Sequence, residues 1–330
     1  MASGSTPQPP RPARISDLLC RLQDSFAWQH QAEDYDLSAV WDRERSGSVF
    51  YRMTGRPSGQ EVIVKIVTRW HPGDAERTFQ AMIELAETLD AAQLQGGGAI
   101  RPLAWADDPP VVVMPYVEGT DLVSILRQPD HPAWYHHVPT WMENAGRMLA
   151  AFHARHLTPP LQDISMAGEE ARFLAARYRI DDAVVDRILN QVDCRHRCAR
   201  SFGDFGPGNL LGTPGGGLYL LDPPDASPTA LIHRDLANFI FELRRQLAGR
   251  GFTRSRPVTG RFEELRSSFI GGYSALWPEE SLSVGDEALI ALFEMRRAVG
   301  MARKRFPNRP GDAAWFARSA LARRREVLAN

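Results

Sequence analysis

Three polar residues stand at chemically suggestive spacing in residues 201–237: Asp204, Asn209 and Asp222. The stretch reads SFGDFGPGNLL, GTPGGG, LYLLDPPDA and, after a short gap, HRDLA. Gly203, Gly206, Pro207 and Gly208 forbid a helix around Asp204 and Asn209, so these two side chains share a loop. NLL and LYLLD are short apolar runs joined by a glycine-rich turn, a hairpin pattern that carries the chain from Asn209 to Asp222. An amide oxygen and a carboxylate brought together in this way suit a hard cation such as Mg²⁺. The remaining acid, Asp204, is then free to receive a hydroxyl proton. A base, a pair of oxygen ligands and an apolar frame are the equipment of phosphoryl transfer.

Such a loop needs a nucleotide site and elements to hold it. The 330 residues allow one large or two modest domains. Residues 35–67 alternate apolar and polar side chains, with DLSAVW, VFYRMTG and EVIVKIV as three strands of an antiparallel meander. Lys65 is the one charge within VIVKIV. It either meets a phosphate or is an edge lysine reaching for water. The turn Ser46, Gly47, Ser48 favours the phosphate, because small residues let backbone N–H groups approach an anion. Residues 75–94 have helical periodicity and offer Glu76, Glu84 or Glu87 as a partner for Lys65: spacing favours Glu84, the helical wheel one of the others. AIRPLAWA and PVVVMPYVEG complete a five-stranded sheet. Pro115 cannot donate, but its carbonyl can accept from an adenine while the Val117 amide donates. Thr120 is placed to cap a helix beginning at Asp121.

Beyond residue 116 the pattern turns helical, in residues 141–156, 236–247, 261–276 and 284–305. His153 lies among apolar neighbours and reads as a packed, hydrogen-bonded histidine. Cys194 and Cys198 flank His196, a spacing open to a metal; the alternative is two cysteines packed on one helix face. Cys20 is the third cysteine, too few for a disulfide framework. The proline- and serine-rich residues 1–14 are expected to form a disordered tail. No apolar run approaches the roughly eighteen residues of a membrane span, and the net charge of −1 implies no nucleic-acid or membrane partner. A cytoplasmic protein is expected; oligomeric state is left open.

A sheet lobe with a strand lysine, a linker, and a helical lobe carrying D-x-x-x-x-N and then D resembles the aminoglycoside phosphotransferase family and its choline, fructosamine and homoserine kinase relatives. FGDFGPGN stands at the family's H-G-D-x-x-x-x-N motif and LYLLD at its strand ending in aspartate. Asp235-Leu236-Ala237 matches D-L-A, and Phe269, Gly272 and Tyr273 match F-x-x-G-Y. The resemblance implies an α+β, bilobal, protein-kinase-like fold. Residues 15–115 would form a nucleotide-binding lobe of five antiparallel strands and a helix. Residues 116–330 would form a mainly helical lobe with a small catalytic hairpin.

It further implies a kinase that uses ATP or GTP with Mg²⁺ to phosphorylate a hydroxyl of a small molecule: an antibiotic, sugar, nucleoside or amino alcohol. Asp204 would be the base, Asn209 and Asp222 the metal ligands and Lys65 the contact to the α/β-phosphates. Asp235 would accept N–H bonds that hold the catalytic loop. The motif histidine is replaced by Phe202, which can pack but cannot hydrogen-bond. That replacement is the only support for the alternative, a catalytically weak nucleotide-binding module. Only twelve residues separate Asp222 from Asp235, which leaves no room for the activation segment of a eukaryotic-type protein kinase. Glu263-Glu264, Glu279-Glu280 and Asp286-Glu287 are carboxylate pairs for a cationic acceptor. Arg296, Arg297, Arg303, Lys304 and Arg305 in the same region favour a neutral or partly anionic one equally. Trp277, Trp315 and Tyr273 are placed either to stack on a ring or to pack in the core.

Overall fold

The computed structural model describes residues 34–43, 48–56, 59, 61–67, 73–108, 110–128, 131–157, 171–173, 176–192, 197–224, 229–248, 259–277, 282–305 and 310–329. The expected tail, Ser46, Gly47, Cys20, Cys194, His196 and Glu279-Glu280 lie outside these residues. The described residues fall into two compact units, one within Met1–Glu87 and Ala99–Glu118, the other within Thr88–Gly98 and Gly119–Asn330.

The chain begins with β1 (Asp34–Arg43), β2 (Ser48–Arg56), β3 (Glu61–Val67) and α1 (Asp74–Ala91), followed by β4 (Gly97–Ala99), β5 (Ala104–Asp107) and β6 (Pro110–Pro115). Five of the six strands form one antiparallel sheet in the order β1-β2-β3-β6-β5. Alternation builds its core: Val62, Val64 and Ile66 of β3 point one way and pack with Tyr51, Met53, Ala104, Val111 and Val113. Lys65 points the other way, and β3 is the central strand, so the edge-lysine reading does not apply. The AIRPLAWA stretch supplies a strand only from Ala104, while β4 joins a different sheet.

The second unit continues with β7 (Thr120–Asp121), α2 (Leu122–Leu126), α3 (Ala133–His136), α4 (Val138–Arg155), α5 (Asp182–Asn190) and β8 (Cys198–Arg200). A single 3-10 turn (Pro207–Asn209) leads into β9 (Leu210–Gly212), β10 (Leu218–Leu220) and β11 (Thr229–Leu231). The helices α6 (His233–Leu247), α7 (Thr259–Leu276), α8 (Val284–Arg305) and α9 (Pro310–Ala329) follow. The small sheets run β4-β10-β9-β7 and β11-β8. Two local expectations are corrected. Asp121, not Thr120, caps α2: its carboxylate accepts from the Ser124 amide at 2.9 Å and the Ser124 hydroxyl at 2.6 Å. Cys198 opens a strand instead of lying on a helix face.

The second core is helical. α4 buries Trp141, Met142, Met148, Leu149 and Phe152, and it packs against α7 closely enough that a Cβ on Gly146 would overlap the Phe269 carbonyl oxygen. A Cβ on Gly272 would likewise overlap the Glu143 carbonyl. Tyr273 is fully buried and Trp277 5% exposed, so packing is the role both fill. Among the described residues no helix is long and apolar enough to cross a membrane.

Candidate active site

The loop after β8 is tied down by one carboxylate. Asp235, in the first turn of α6 and 1% exposed, accepts at Oδ1 from the Ser201 hydroxyl (2.9 Å) and the Gly203 amide (3.2 Å). Its Oδ2 accepts from the Phe202 amide (2.6 Å). Asn238, one turn along α6, donates to the Gly203 carbonyl at 3.1 Å. Gly203 has φ +88°, a left-handed conformation that a side chain would strain. His153 from α4 completes the support. Its Nε2 lies 3.1 Å from Asp235 Oδ2 and its Nδ1 2.9 Å from the Tyr273 hydroxyl. Burial pushes the Tyr273 phenol well up, so it stays protonated and donates to Nδ1. The His153 Nε2–H is then left to donate to Asp235. Burial also opposes ionisation of Asp235, but the hydrogen bond from His153, with the Phe202 and Ser201 donors, outweighs it and holds the carboxyl below its ordinary value.

This anchoring turns alternate side chains in opposite directions. Phe202 and Phe205 are each 1% exposed with ring centroids 5.1 Å apart, and Phe152 lies 5.1 Å from Phe202. Asp204, between them in sequence, has 75% of its side chain exposed. The 3-10 turn then brings Asn209 back, and its Nδ2 donates to the Asp204 carbonyl at 2.9 Å. The Leu221 amide donates to the Asn209 carbonyl at 2.9 Å, extending the β9–β10 pairing so that Asp222 emerges one residue later. The hairpin is seated on α4, where Trp141 Nε1 donates to the Gly216 carbonyl at 2.8 Å. Asp204, Asn209 and Asp222 are therefore assembled by one loop and one hairpin.

One neighbour of Asp204 has no sequence signal. Arg297 of α8 places Nη2 3.7 Å from Asp204 Oδ1 and 3.3 Å from Glu242 Oε1. Periodicity puts Arg297 on α8 but does not say which loop that helix passes. Among the anticipated acceptor carboxylates, Asp286 is withdrawn from solvent. Asp286 is 1% exposed and capped within the protein by His233 and Ser283. Glu287 pairs with Arg266. Glu263 and Glu264 are exposed.

In the first unit, Lys65 lies between Phe50 and Val112 on the neighbouring strands, 8% exposed, with Nζ 5.9 Å from the Phe50 ring centroid. Ser48 opens β2 opposite Val67. Glu76, Glu84 and Glu87 are all exposed on α1. Pro115 ends β6 opposite Val62, and the Tyr116 amide makes the last inter-strand bond, to the Glu61 carbonyl at 3.0 Å. Val117 is the first residue past it. Arg52 grips Glu61 through three N–H···O contacts of 2.7–3.0 Å and lies 3.9 Å over the Tyr116 ring, which stiffens this end of the strand.

Comparison with solved structures shows the fold. A spectinomycin phosphotransferase in complex with ADP and spectinomycin aligns with TM-score 0.52 at 12% identity, over 96% of this chain and 99% of its own. An amicoumacin kinase bound to AMP-PNP, Ca²⁺ and its antibiotic aligns with TM-score 0.54 at 14% identity, over 96% of each chain. A glucosamine kinase with glucosamine, ADP and inorganic phosphate gives 0.52 at 15% identity, over 89% of this chain and 96% of its own. No curated protein matches in sequence. The bilobal α+β kinase-like architecture is thus shared across chains of very different sequence. The model of the phosphotransferase enzyme family (APH) matches residues 40–282, a span that holds the strand lysine, the Asp204 loop, the hairpin and the Asp235 anchor, and the chain belongs to that family.

Proposed function

We propose that this phosphotransferase moves the γ-phosphoryl group of ATP or GTP to a hydroxyl of a small molecule, with Asp204 as the base that orients and deprotonates that hydroxyl. The acceptor class is an antibiotic, sugar, nucleoside or amino alcohol. The observation that carries this reading is the exposed Asp204 carboxylate on a loop otherwise pinned by Asp235, with Asn209 hydrogen-bonded to the backbone of Asp204 itself. A base that must receive a proton from a bound substrate needs exposure and a fixed backbone together. The ADP, AMP-PNP, spectinomycin and glucosamine of the structural relatives support a nucleotide donor and a small hydroxylated acceptor.

Asn209 and Asp222 would hold magnesium. The donor set fits: both supply hard oxygen atoms, and the Asn209 Nδ2 bond to the Asp204 carbonyl fixes the amide so that Oδ1 is the atom that would meet the ion. A site of two protein oxygens completed by phosphates and water is what magnesium takes, since it keeps its own shell and needs few protein ligands. When bound, the ion supplies neutralisation of phosphate charge. Lys65 would contact the α/β-phosphates, assisted by the backbone of Ser46, Gly47 and Ser48. The Pro115 carbonyl and Val117 amide would receive the base. Loss of the motif histidine at Phe202 does not favour a weak nucleotide-binding module, because the hydrogen bond at that position comes from the backbone amide.

An assay of ADP or GDP release tests the proposal, run over spectinomycin, amicoumacin, glucosamine, nucleosides and amino alcohols with magnesium and ATP or GTP respectively. Asp204→Ala should lower turnover about a thousandfold or more while nucleotide affinity stays within about threefold. Asp222→Ala should lose magnesium-dependent nucleotide binding. Wild-type turnover in Asp204→Ala sinks the assignment of the base.

A further inference from the structure

We infer that Arg297 is a catalytic residue whose guanidinium contacts the phosphoryl group in transit, a role that rests on the kinase reading with Asp204 as base. The geometry is specific. At 3.7 Å the Arg297 Nη2 lies beyond hydrogen-bond reach of Asp204 Oδ1, so it stands beside the carboxylate without capping it. Arg297 is held there from behind. Its Nη2 meets Glu242 Oε1 at 3.3 Å, and Glu242, with 13% of its side chain exposed, is itself clamped. Arg245 Nε donates to Glu242 Oε2 at 2.6 Å and Gln246 Nε2 approaches the same oxygen at 3.4 Å. Gln246 is 3% exposed and accepts at Oε1 from Arg127 Nε at 2.9 Å. A long flexible side chain is thereby presented with a defined head position, 30% exposed, beside the exposed carboxylate of Asp204.

Charge gives the cation a task beside the neutralisation that magnesium would supply. In the transfer the acceptor oxygen forms a bond to the γ-phosphorus as the bond from phosphorus to the β,γ-bridging oxygen breaks. The electron pair of that broken bond leaves on the nucleoside diphosphate, and the hydroxyl proton passes to the Asp204 carboxylate and from there to water. Charge spreads over the three equatorial oxygens of the moving group. That group travels toward Asp204 with Glu242 close behind, two carboxylates that repel it. The loop itself offers no relief, since Phe205, Gly206, Pro207 and Gly208 separate Asp204 from Asn209 without a cation. Arg297 is the cation paired with Asp204 among the described residues. Its planar fork donates N–H bonds to phosphoryl oxygens without losing its proton.

A transition-state mimic tests this without knowledge of the acceptor. The full chain is titrated with ADP and magnesium, with and without aluminium fluoride, which forms a planar or square group at the γ-position. Wild type should bind ADP about tenfold tighter or more when the fluoride is present. Arg297→Ala should lose that gain while its affinity for ADP alone stays within about threefold, which also shows that the variant is folded. Arg297→Lys should keep part of the gain, because the charge remains and the fork does not. Wild type that fails to bind ADP at all sinks the kinase reading itself. Wild type that binds ADP without any gain from fluoride, or Arg297→Ala that gains as much as wild type, overturns the role of Arg297.

Discussion

The Phe202 amide donates to Asp235 Oδ2 at 2.6 Å while the Phe202 ring is buried between Phe152 and Phe205. Anchoring and packing at this position are therefore separate. The backbone makes the bond to α6, and the side chain fills an aromatic pocket. Phe202→His would place a polar ring where its surroundings are phenyl rings. It should cost about 1–3 kcal/mol of stability, the penalty of a buried polar group without a partner. Turnover, measured well below the melting midpoint, should stay within about threefold of wild type. A change in kcat of orders of magnitude would show that the side chain at 202 takes part in more than packing.

The close approach of α4 and α7 yields a second expectation. Alanine is favoured over glycine inside a helix by about 1 kcal/mol. At Gly146 that preference must lose, because the added methyl meets the backbone carbonyl of Phe269 and the amide of Tyr273, which cannot rotate away. Gly146→Ala should therefore destabilise by about 2–3 kcal/mol, as the helices part or distort. Gly300 on α8 supplies the control, since a Cβ there meets nothing within 4 Å. Gly300→Ala should raise the urea midpoint. If both substitutions shift the midpoint upward, the α4–α7 contact is looser than the geometry implies.

Much of this arrangement was legible in the residues. The pattern of EVIVKIV located β3, and NLL-GTPGGG-LYLLD located the β9–β10 hairpin. The range 284–305 coincides with α8. What escaped has a common physical origin. Gly97–Ala99 is a strand made by its neighbours, with no side-chain period to reveal it. Cys198–Arg200 is three residues long, too short for any period, and its partner β11 lies some thirty residues downstream. Thr120 and Asp121 are both competent caps, and the choice between them is a backbone angle. Periodicity showed that His153 faces inward, but not that it meets Asp235 and Tyr273, residues 82 and 120 positions away. Arg297 was visible only as one cation in a mixed segment.

Asp286 illustrates the same limit and carries the last expectation. In sequence it pairs with Glu287 as a candidate to meet a cationic acceptor; in the fold it is buried against His233, Arg197 and Ser283. Its Oδ1 accepts from His233 Nε2 at 2.6 Å, and its Oδ2 from the Ser283 amide at 2.6 Å and hydroxyl at 2.8 Å. Burial alone would raise its pKa, but these donors, with the His233 charge once that ring is protonated at low pH, outweigh it and hold the carboxyl at about 2. His233 is shifted downward because burial outweighs the pull of Asp286, so its ring is neutral at pH 7. Both signs point the same way. The histidine binds a proton more readily unfolded, so stability begins to fall as pH drops through about 6.5. The carboxylate contribution, on the order of 2 kcal/mol when fully present, is lost from about pH 5 downward toward the folded value. The urea midpoint should therefore decline in two stages between pH 7 and pH 3. Asp286→Asn should lose about 2–3 kcal/mol at pH 7 and show a much flatter profile below pH 5, because the group that titrates there is gone. A variant midpoint that falls in parallel with wild type from pH 5 to pH 3 would place the acid sensitivity elsewhere in the protein.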